Sequence, residues 1–170
     1  MGLAQEVSTR RLNDASFELL IFLDKNTHDI NIADVGFGVS QALPVVVALH
    51  AVDKDQLLYL EEPEIHLHPR AQTKLADVLA DAAKRGVRVV AETHSSLLLR
   101  AVQTLVAKGD LASDLVRLHW FSRDRDGVTQ VNSAKLDANG AFGDWPEDFG
   151  DVALESEKQY LDAVEDRLTR

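Results

Sequence analysis

Two short runs in this 170-residue chain place reactive side chains at the ends of apolar segments. Leu57-Leu58-Tyr59-Leu60 closes in Glu61-Glu62-Pro63-Glu64, and Val87-Arg88-Val89-Val90-Ala91 leads into Glu92-Thr93-His94-Ser95. A carboxylate at the C-terminal end of a parallel strand stands at the edge where α/β sheets take ligands. Adjacent strand residues point to opposite faces, so Glu61 and Glu62 cannot both enter one core. One of them suits holding Mg²⁺ through water, and the next suits orienting and deprotonating an attacking water. An imidazole at a strand tip, His94, suits contact with a terminal phosphate or with that water. Each residue also has a plain structural reading, as a solvated strand end or a loop histidine. Together they resemble the Mg²⁺ and water-activating half of a nucleotide-hydrolysing site. The sequence contains no Gly-Lys dipeptide, so the G-x-x-x-x-G-K-[ST] loop that cradles ATP phosphates is not in it.

Three further groups of residues invite chemistry. Gly36–Gln41 offers glycines for close backbone approach, the Ser40 hydroxyl and a helix start to follow, equipment for binding a phosphate through backbone N–H groups; an ordinary tight turn explains it equally. His66 and His68 near Glu64 suggest a metal, but no third ligand stands at a telling spacing, and loop packing or helix entry accounts for both. Asp124 and Asp126 form a nuclease-like Asp-x-Asp, yet Gly127 follows at once between two strand patterns, which favours a hairpin turn.

The elements that would position these residues follow from periodicity. Phe17–Leu23 reads as a strand and residues 24–27 as a turn. After a Gly-containing loop over 34–41, Pro44 marks a first helical turn, and Val45–His50 forms a short buried helix or, given its valines, a strand. Leu57–Glu61 and Val87–Ala91 read as buried strands. Between them His68-Pro69 opens a helix in which Ala71, Leu75, Val78, Leu79 and Ala82 recur at helical spacing, and Gly86 ends it. Ser95 or Ser96 caps a further helix carrying Leu98, Leu99, Val102, Leu105 and Val106. Strand, helix, strand, helix is the pattern of an α/β fold with a parallel-sheet core. Beyond it, Leu115–Phe121 and Val128–Val131 flank Asp126-Gly127 as a hairpin, 136–149 is irregular, and an amphipathic helix runs from about Val152 to Leu168.

Composition narrows the classes. With 45% hydrophobic residues the chain can fill one sizeable core. A net charge of −10 makes it a poor unaided binder of nucleic-acid backbones, so nucleic acid is expected only indirectly. The absence of cysteine removes disulfides, thiolate zinc sites and cysteine nucleophiles, and suits the cytoplasm. The first residues lack the basic and apolar regions of a signal peptide, and no apolar run is long enough to span a bilayer, so no membrane partner is expected.

In this order, Gly-Phe-Gly-Val-Ser-Gln-Ala-Leu-Pro (36–44), Leu-Tyr-Leu-Glu-Glu-Pro-Glu-Ile-His-Leu-His-Pro (58–69) and Glu-Thr-His-Ser (92–95) resemble the C-terminal part of an ABC-type P-loop ATPase head. The likeness is to bacterial predicted ATPases related to the overcoming-lysogenization-defect and SMC-like families. Trp145-Pro146-Glu147-Asp148-Phe149 is similar to a segment that follows such cores, and the resemblance spans about residues 31–168. It implies that Glu61 takes the Walker B position holding Mg²⁺, Glu62 the catalytic base and His94 the switch histidine sensing the γ-phosphate. Gly38, Ser40 and Gln41 fall in the signature loop, which contacts nucleotide held by a partner subunit, and Glu64–Pro69 matches the loop that communicates across the dimer interface. ATP and Mg²⁺ are the implied cofactors. The implied partners are the Walker A lobe, in cis or in trans, and a second copy through the signature-loop face. The expected organisation is a partial ATPase core over 1–135 with an appendage over 136–170. The resemblance further implies that the Walker A lobe covers one face and edge of the sheet, and that the chain without it is not a competent ATPase, whether it is a truncated, split or remnant form. A non-catalytic interaction or regulatory module that keeps the fold is the alternative; a metal-dependent nuclease using Glu61, Glu62, Asp124 and Asp126 is a third reading, opposed by the acidic balance.

Overall fold

A computed structural model describes residues 4–24, 28–143 and 151–168. The chain divides into two compact units, Met1–Leu111 and Ala112–Arg170. The hairpin, whose strands pair with each other, lies within the second unit.

The first unit opens with an antiparallel sheet of β1 (Glu6–Arg11), β2 (Phe17–Phe22) and β3 (Ile30–Asn31), in that order. Only β2 was legible as a strand. Glu18 ties all three together, accepting from Arg10 on β1 (2.6 Å) and from the Asn31 amide on β3 (2.8 Å).

Helix α1 (Phe37–Ala51) begins earlier than expected and converts the anticipated Gly36–Gln41 loop into helix from Phe37 onward. Pro44 therefore lies inside α1 and not in its first turn. β4 (Leu57–Glu61) and β5 (Arg88–Glu92) pair in parallel, Leu57 opposite Arg88 through Glu61 opposite Glu92. Between them runs α2 (Pro69–Lys84), with His68 as its N-cap and Pro69 preset for the first turn. Helix α3 (Ser96–Ala107) follows β5, and the Ser95 Oγ caps it by accepting from the Leu98 N–H at 3.1 Å.

Two clusters form the core of this unit. Leu75, fully buried, packs with Ala42, Leu67, Ala71, Ala76 and Leu98. Leu49, Ala82 and Val87 gather Leu58, Leu60 and Val89 from the inner face of the β4–β5 pair. The outer face is open: Leu57, Tyr59 and Val90 are 63, 57 and 48% exposed. The expectation of buried strands is thus met on one face only. Parallel strands are normally covered on both faces, and the helices of this unit cover one.

α2 ends where Gly86 turns left-handed at φ 85°, and a Cβ there would stand 2.9 Å from Lys54 Cγ. Gly86→Ala is expected to cost about 1–2 kcal/mol, because a side chain is strained at this φ whatever Lys54 does. A lower urea midpoint at unchanged slope would register it.

In the second unit, β6 (Arg117–Arg123) and β7 (Thr129–Lys135) form the expected hairpin, the first strand shifted by two residues and the second longer than the sequence indicated. Asp124 organises its loop, accepting from Gln130 Nε2 (2.9 Å) and from the N–H groups of Val128 (2.8 Å) and Asp126 (3.0 Å). Those bonds, the Gln130 one foremost, hold its carboxyl below the usual aspartate range. A depressed folded value contributes stability above the unfolded value, near pH 3.9, that is lost as pH falls through the folded one. Acidification below about pH 4 should therefore loosen the loop. The amide dispersion of residues 117–135 should report this loosening, and Asp124→Asn should flatten the dependence. Helix α4 (Asp151–Leu168) matches the expected final helix, whereas Trp145–Phe149 lies outside the described residues. Among the described residues, no helix is long and apolar enough to cross a membrane.

Candidate functional site

The parallel register brings the C-terminal ends of β4 and β5 side by side, and with them both chemical runs of the sequence. Glu61 ends β4 directly opposite Glu92 on β5, both exposed on the open face. Like charges directly opposite in a sheet repel. Tyr59, two residues back on the same face, donates its hydroxyl to Glu92 Oε2 at 2.7 Å. That bond, with partial burial and the charges of Glu92 and Glu61, pushes the phenol above its ordinary value. Facing carboxylates at the ligand-binding edge of a parallel pair are a donor set suited to a hard divalent cation such as Mg²⁺.

Glu62 continues the ladder by one bond, its N–H donating to the Glu92 carbonyl at 2.9 Å. Its backbone then turns left-handed (φ 41°), which ends the strand and takes its side chain out of the pleat. The carboxylate comes to rest 3.4 Å from His94 Nε2, with the imidazole largely solvent-exposed. At this distance the carboxylate and the imidazole are in direct contact, and side by side they can face one water or one phosphate oxygen.

The loop after Glu62 is held tightly. Pro63 and Glu64 are buried, and His66 is a second left-handed non-glycine residue (φ 66°). Glu64 Oε1 accepts from the Thr93 hydroxyl and from the His94 N–H at 3.2 Å. Among the described residues, Glu64 Oε2 is buried and finds no hydrogen-bond partner. Thr93 Oγ1 in turn accepts from the Ser95 N–H at 3.0 Å. The Ser95 hydroxyl donates to Gln72 Oε1 at 2.8 Å, and Gln72 Nε2 donates to the Leu67 carbonyl at 3.0 Å. A cleft lined by Glu62, Glu64, His66, Gln72, His94 and Ser95 opens over this network.

The N-terminus of α1 stands beside the same loop. Phe37 meets the His66 ring edge-on at 4.7 Å, and a Cβ on Gly38 would lie 3.2 Å from the His66 carbonyl oxygen. The Gly36 N-cap has no side chain to occupy the first N–H groups of α1. That fits an anion, since those groups and the helix dipole attract one. Ser40 turns its hydroxyl back onto the Phe37 carbonyl at 2.9 Å, and Gln41 is exposed on the helix.

Two sequence-level ideas separate here. His68 accepts from the Arg70 N–H at 3.3 Å as the α2 cap, and His66 packs on Phe37, so His-x-His serves the loop. Among the described residues, no group of three His, Asp or Glu side chains could hold a metal ion. Asp124 is committed to its hairpin. Sequence reasoning placed Glu64 in the interface loop but missed its burial, because a glutamate is seldom buried and nothing in Pro63-Glu64-Ile65 signals that it would be, and it did not single out Glu92 opposite Glu61.

Residues 3–100 match the family profile described as "AAA domain, putative AbiEii toxin, Type IV TA system". That span includes Gly38, Ser40, Gln41, Glu61, Glu62 and His94. Among solved structures, the fold is similar to one from work on ATP-driven dimerization and DNA-stimulated activation of SMC ATPases. The TM-score is 0.57 at 15% identity, over 92% of this chain and 84% of that one. It is also similar to an Smc head bound to the C-winged helix domain of ScpA, with a TM-score of 0.57 at 19% identity. That match covers 80% of this chain and only 40% of the other. No curated protein matches in sequence. The α/β fold with its parallel pair is thus that of P-loop ATPase heads.

Proposed function

The chain belongs to this AAA-domain family, and from that premise we propose that it supplies the C-terminal half of an ABC/SMC-like ATP-hydrolysing site, of the kind related to the overcoming-lysogenization-defect ATPases. The observation that carries the reading is the 3.4 Å approach of Glu62 and His94 at the C-terminal ends of two parallel strands. In this reading Glu62 orients the attacking water and accepts its proton. His94 contacts the terminal phosphate. Glu61 holds Mg²⁺ through water, supported by the facing carboxylates of Glu61 and Glu92 at the strand ends. When bound to ATP, Mg²⁺ neutralises the charge on the β- and γ-phosphate oxygens. Gly38, Ser40 and Gln41, on the first turns of α1, face nucleotide held by a second copy, for which the uncapped N–H groups of that helix are suited.

The partner required is a lobe carrying the G-x-x-x-x-G-K-[ST] loop, in the same polypeptide or another, and the open face of β4 and β5, with Leu57, Tyr59 and Val90 exposed, is a surface such a lobe would cover. We place the activity in the cytoplasm, in keeping with a sequence free of cysteine. The test supplies a P-loop lobe to the chain and follows Mg²⁺-dependent ATP turnover. Turnover that depends on both components supports the proposal; a stable complex without turnover overturns it. The missing Gly-Lys dipeptide favours one other reading, a non-catalytic interaction module, in which Glu62→Gln leaves biological activity intact.

A further inference from the structure

We infer that Glu64 is a positioning residue, a latch that binds the loop after β5 to the loop after β4 and so sets His94 against Glu62. The inference deepens the ATPase reading and rests on it for its functional meaning, but its geometry stands alone. Glu64 is 5% exposed and follows Glu62 by two residues, across the rigid Pro63. One of its oxygens gathers two donors from consecutive residues, the Thr93 hydroxyl and the His94 N–H. Those two bonds fix the backbone of the residue whose imidazole reaches Glu62 Oε1.

Donor and acceptor accounting shows why the latch is specific. Thr93 uses its single hydroxyl proton on Glu64 and accepts the Ser95 N–H. Ser95 uses its own proton on Gln72 and accepts the Leu98 N–H. The chain of bonds therefore runs from α2, through the β5 exit loop, to the cap of α3, and Glu64 is the member that joins it to the Glu62 loop. The unpartnered Oε2 is the unfavourable side of this arrangement. An apolar side chain at so buried a place would gain by avoiding the desolvation of a carboxylate, but it would leave the His94 backbone N–H, which no substitution removes, without this acceptor. A buried carboxylate with only one oxygen in use marks a site where joining the two loops outweighs that gain.

The test uses the whole chain without nucleotide, so it reads the latch independently of any ATPase activity. In the wild type, NMR should show a contact between the His94 imidazole and the Glu62 γ-methylene, and slow hydrogen exchange at the His94 amide. Glu64→Gln keeps an oxygen for both donors and should retain both signals. Glu64→Ala should lose the contact and reduce His94 amide protection about tenfold. Thr93→Val, which keeps the carboxylate and is less demanding on folding, should weaken both signals. Leu75→Ala, a core change, should lower global stability while leaving the contact in place. Retention of the contact and the protection in Glu64→Ala, or in Thr93→Val should Glu64→Ala not fold, overturns the inference. If the latch behaves as described and complementation with a P-loop lobe still gives no turnover, the ATPase reading fails and the latch stands.

Discussion

The purified chain, given Mg²⁺ and ATP, is expected to hydrolyse nucleotide no faster than its Glu62→Gln variant. Phosphoryl transfer places little covalent chemistry on the protein, so rate comes from gripping the phosphates and stabilising their charge. The P-loop amides and lysine supply that grip, and this sequence has no Gly-Lys dipeptide to provide it. What the chain does have is the Glu62 carboxylate, the base of the proposed reading, 3.4 Å from the His94 imidazole and partly open to solvent. A base without a held substrate accelerates nothing measurable. Once a P-loop lobe is supplied, the same substitution should matter greatly. Losing a general base costs about 10²- to 10⁴-fold, and the loss should fall on kcat while nucleotide binding persists. Turnover by the chain alone that Glu62→Gln abolishes would reverse the reading. A phosphate-gripping element would then exist in this sequence, and the uncapped N-terminus of α1 at Gly36 would be the first place to look for it.

Leu75→Ala should destabilise the first unit by about 2–5 kcal/mol, the range for deleting a buried leucine side chain. Leu75 is fully buried in α2, and three of the five buried residues around it are alanines, Ala42, Ala71 and Ala76. Short side chains cannot swing into the space left behind, which favours the upper part of that range. Domains of this size are held by about 5–15 kcal/mol in total, so the variant should unfold at a visibly lower urea concentration. The other two buried members, Leu67 and Leu98, connect the cluster to the loop before α2 and to α3, and the half-buried Val45, Leu79, Val102 and Leu105 pack around it. A loss below about 1 kcal/mol would mean that the site collapses around the deletion and that this cluster is not a tightly packed core.

The strands and helices of the first unit were largely legible where the pattern was strong. The His68-Pro69 start, the apolar spacing through Ala82 and the Gly86 stop fixed α2, because cap, periodicity and terminator all act within one element. The same holds for β4, β5 and the Ser95 cap of α3. The pattern misled at α1, where the glycines at 36 and 38 argued locally for a loop and Pro44 for a first helical turn, yet the helix runs from Phe37 to Ala51. Packing of Ala42, Val45 and Leu49 against the two core clusters overrides those local preferences. β1 went unread because its six residues, Glu6–Arg11, carry no alternating apolar face and are almost wholly exposed; its strand character comes from pairing with β2.

The sequence by itself determined which residues are available for chemistry and where they fall on the chain: Glu61 and Glu62 after one apolar run, His94 after the next, and no Gly-Lys loop. Residue types and spacing along one segment are local properties, and a strand followed by a reactive side chain is readable without knowing its neighbour. The tertiary structure alone decided which of these groups meet. The parallel register set Glu61 against Glu92, the left-handed turn at Glu62 sent its side chain to His94, and the fold buried Glu64 under Thr93. Glu64 and Thr93 are 29 residues apart in sequence. A hydrogen bond over that separation exists only because two strands and the helix between them pack in one register, which no window along the chain contains.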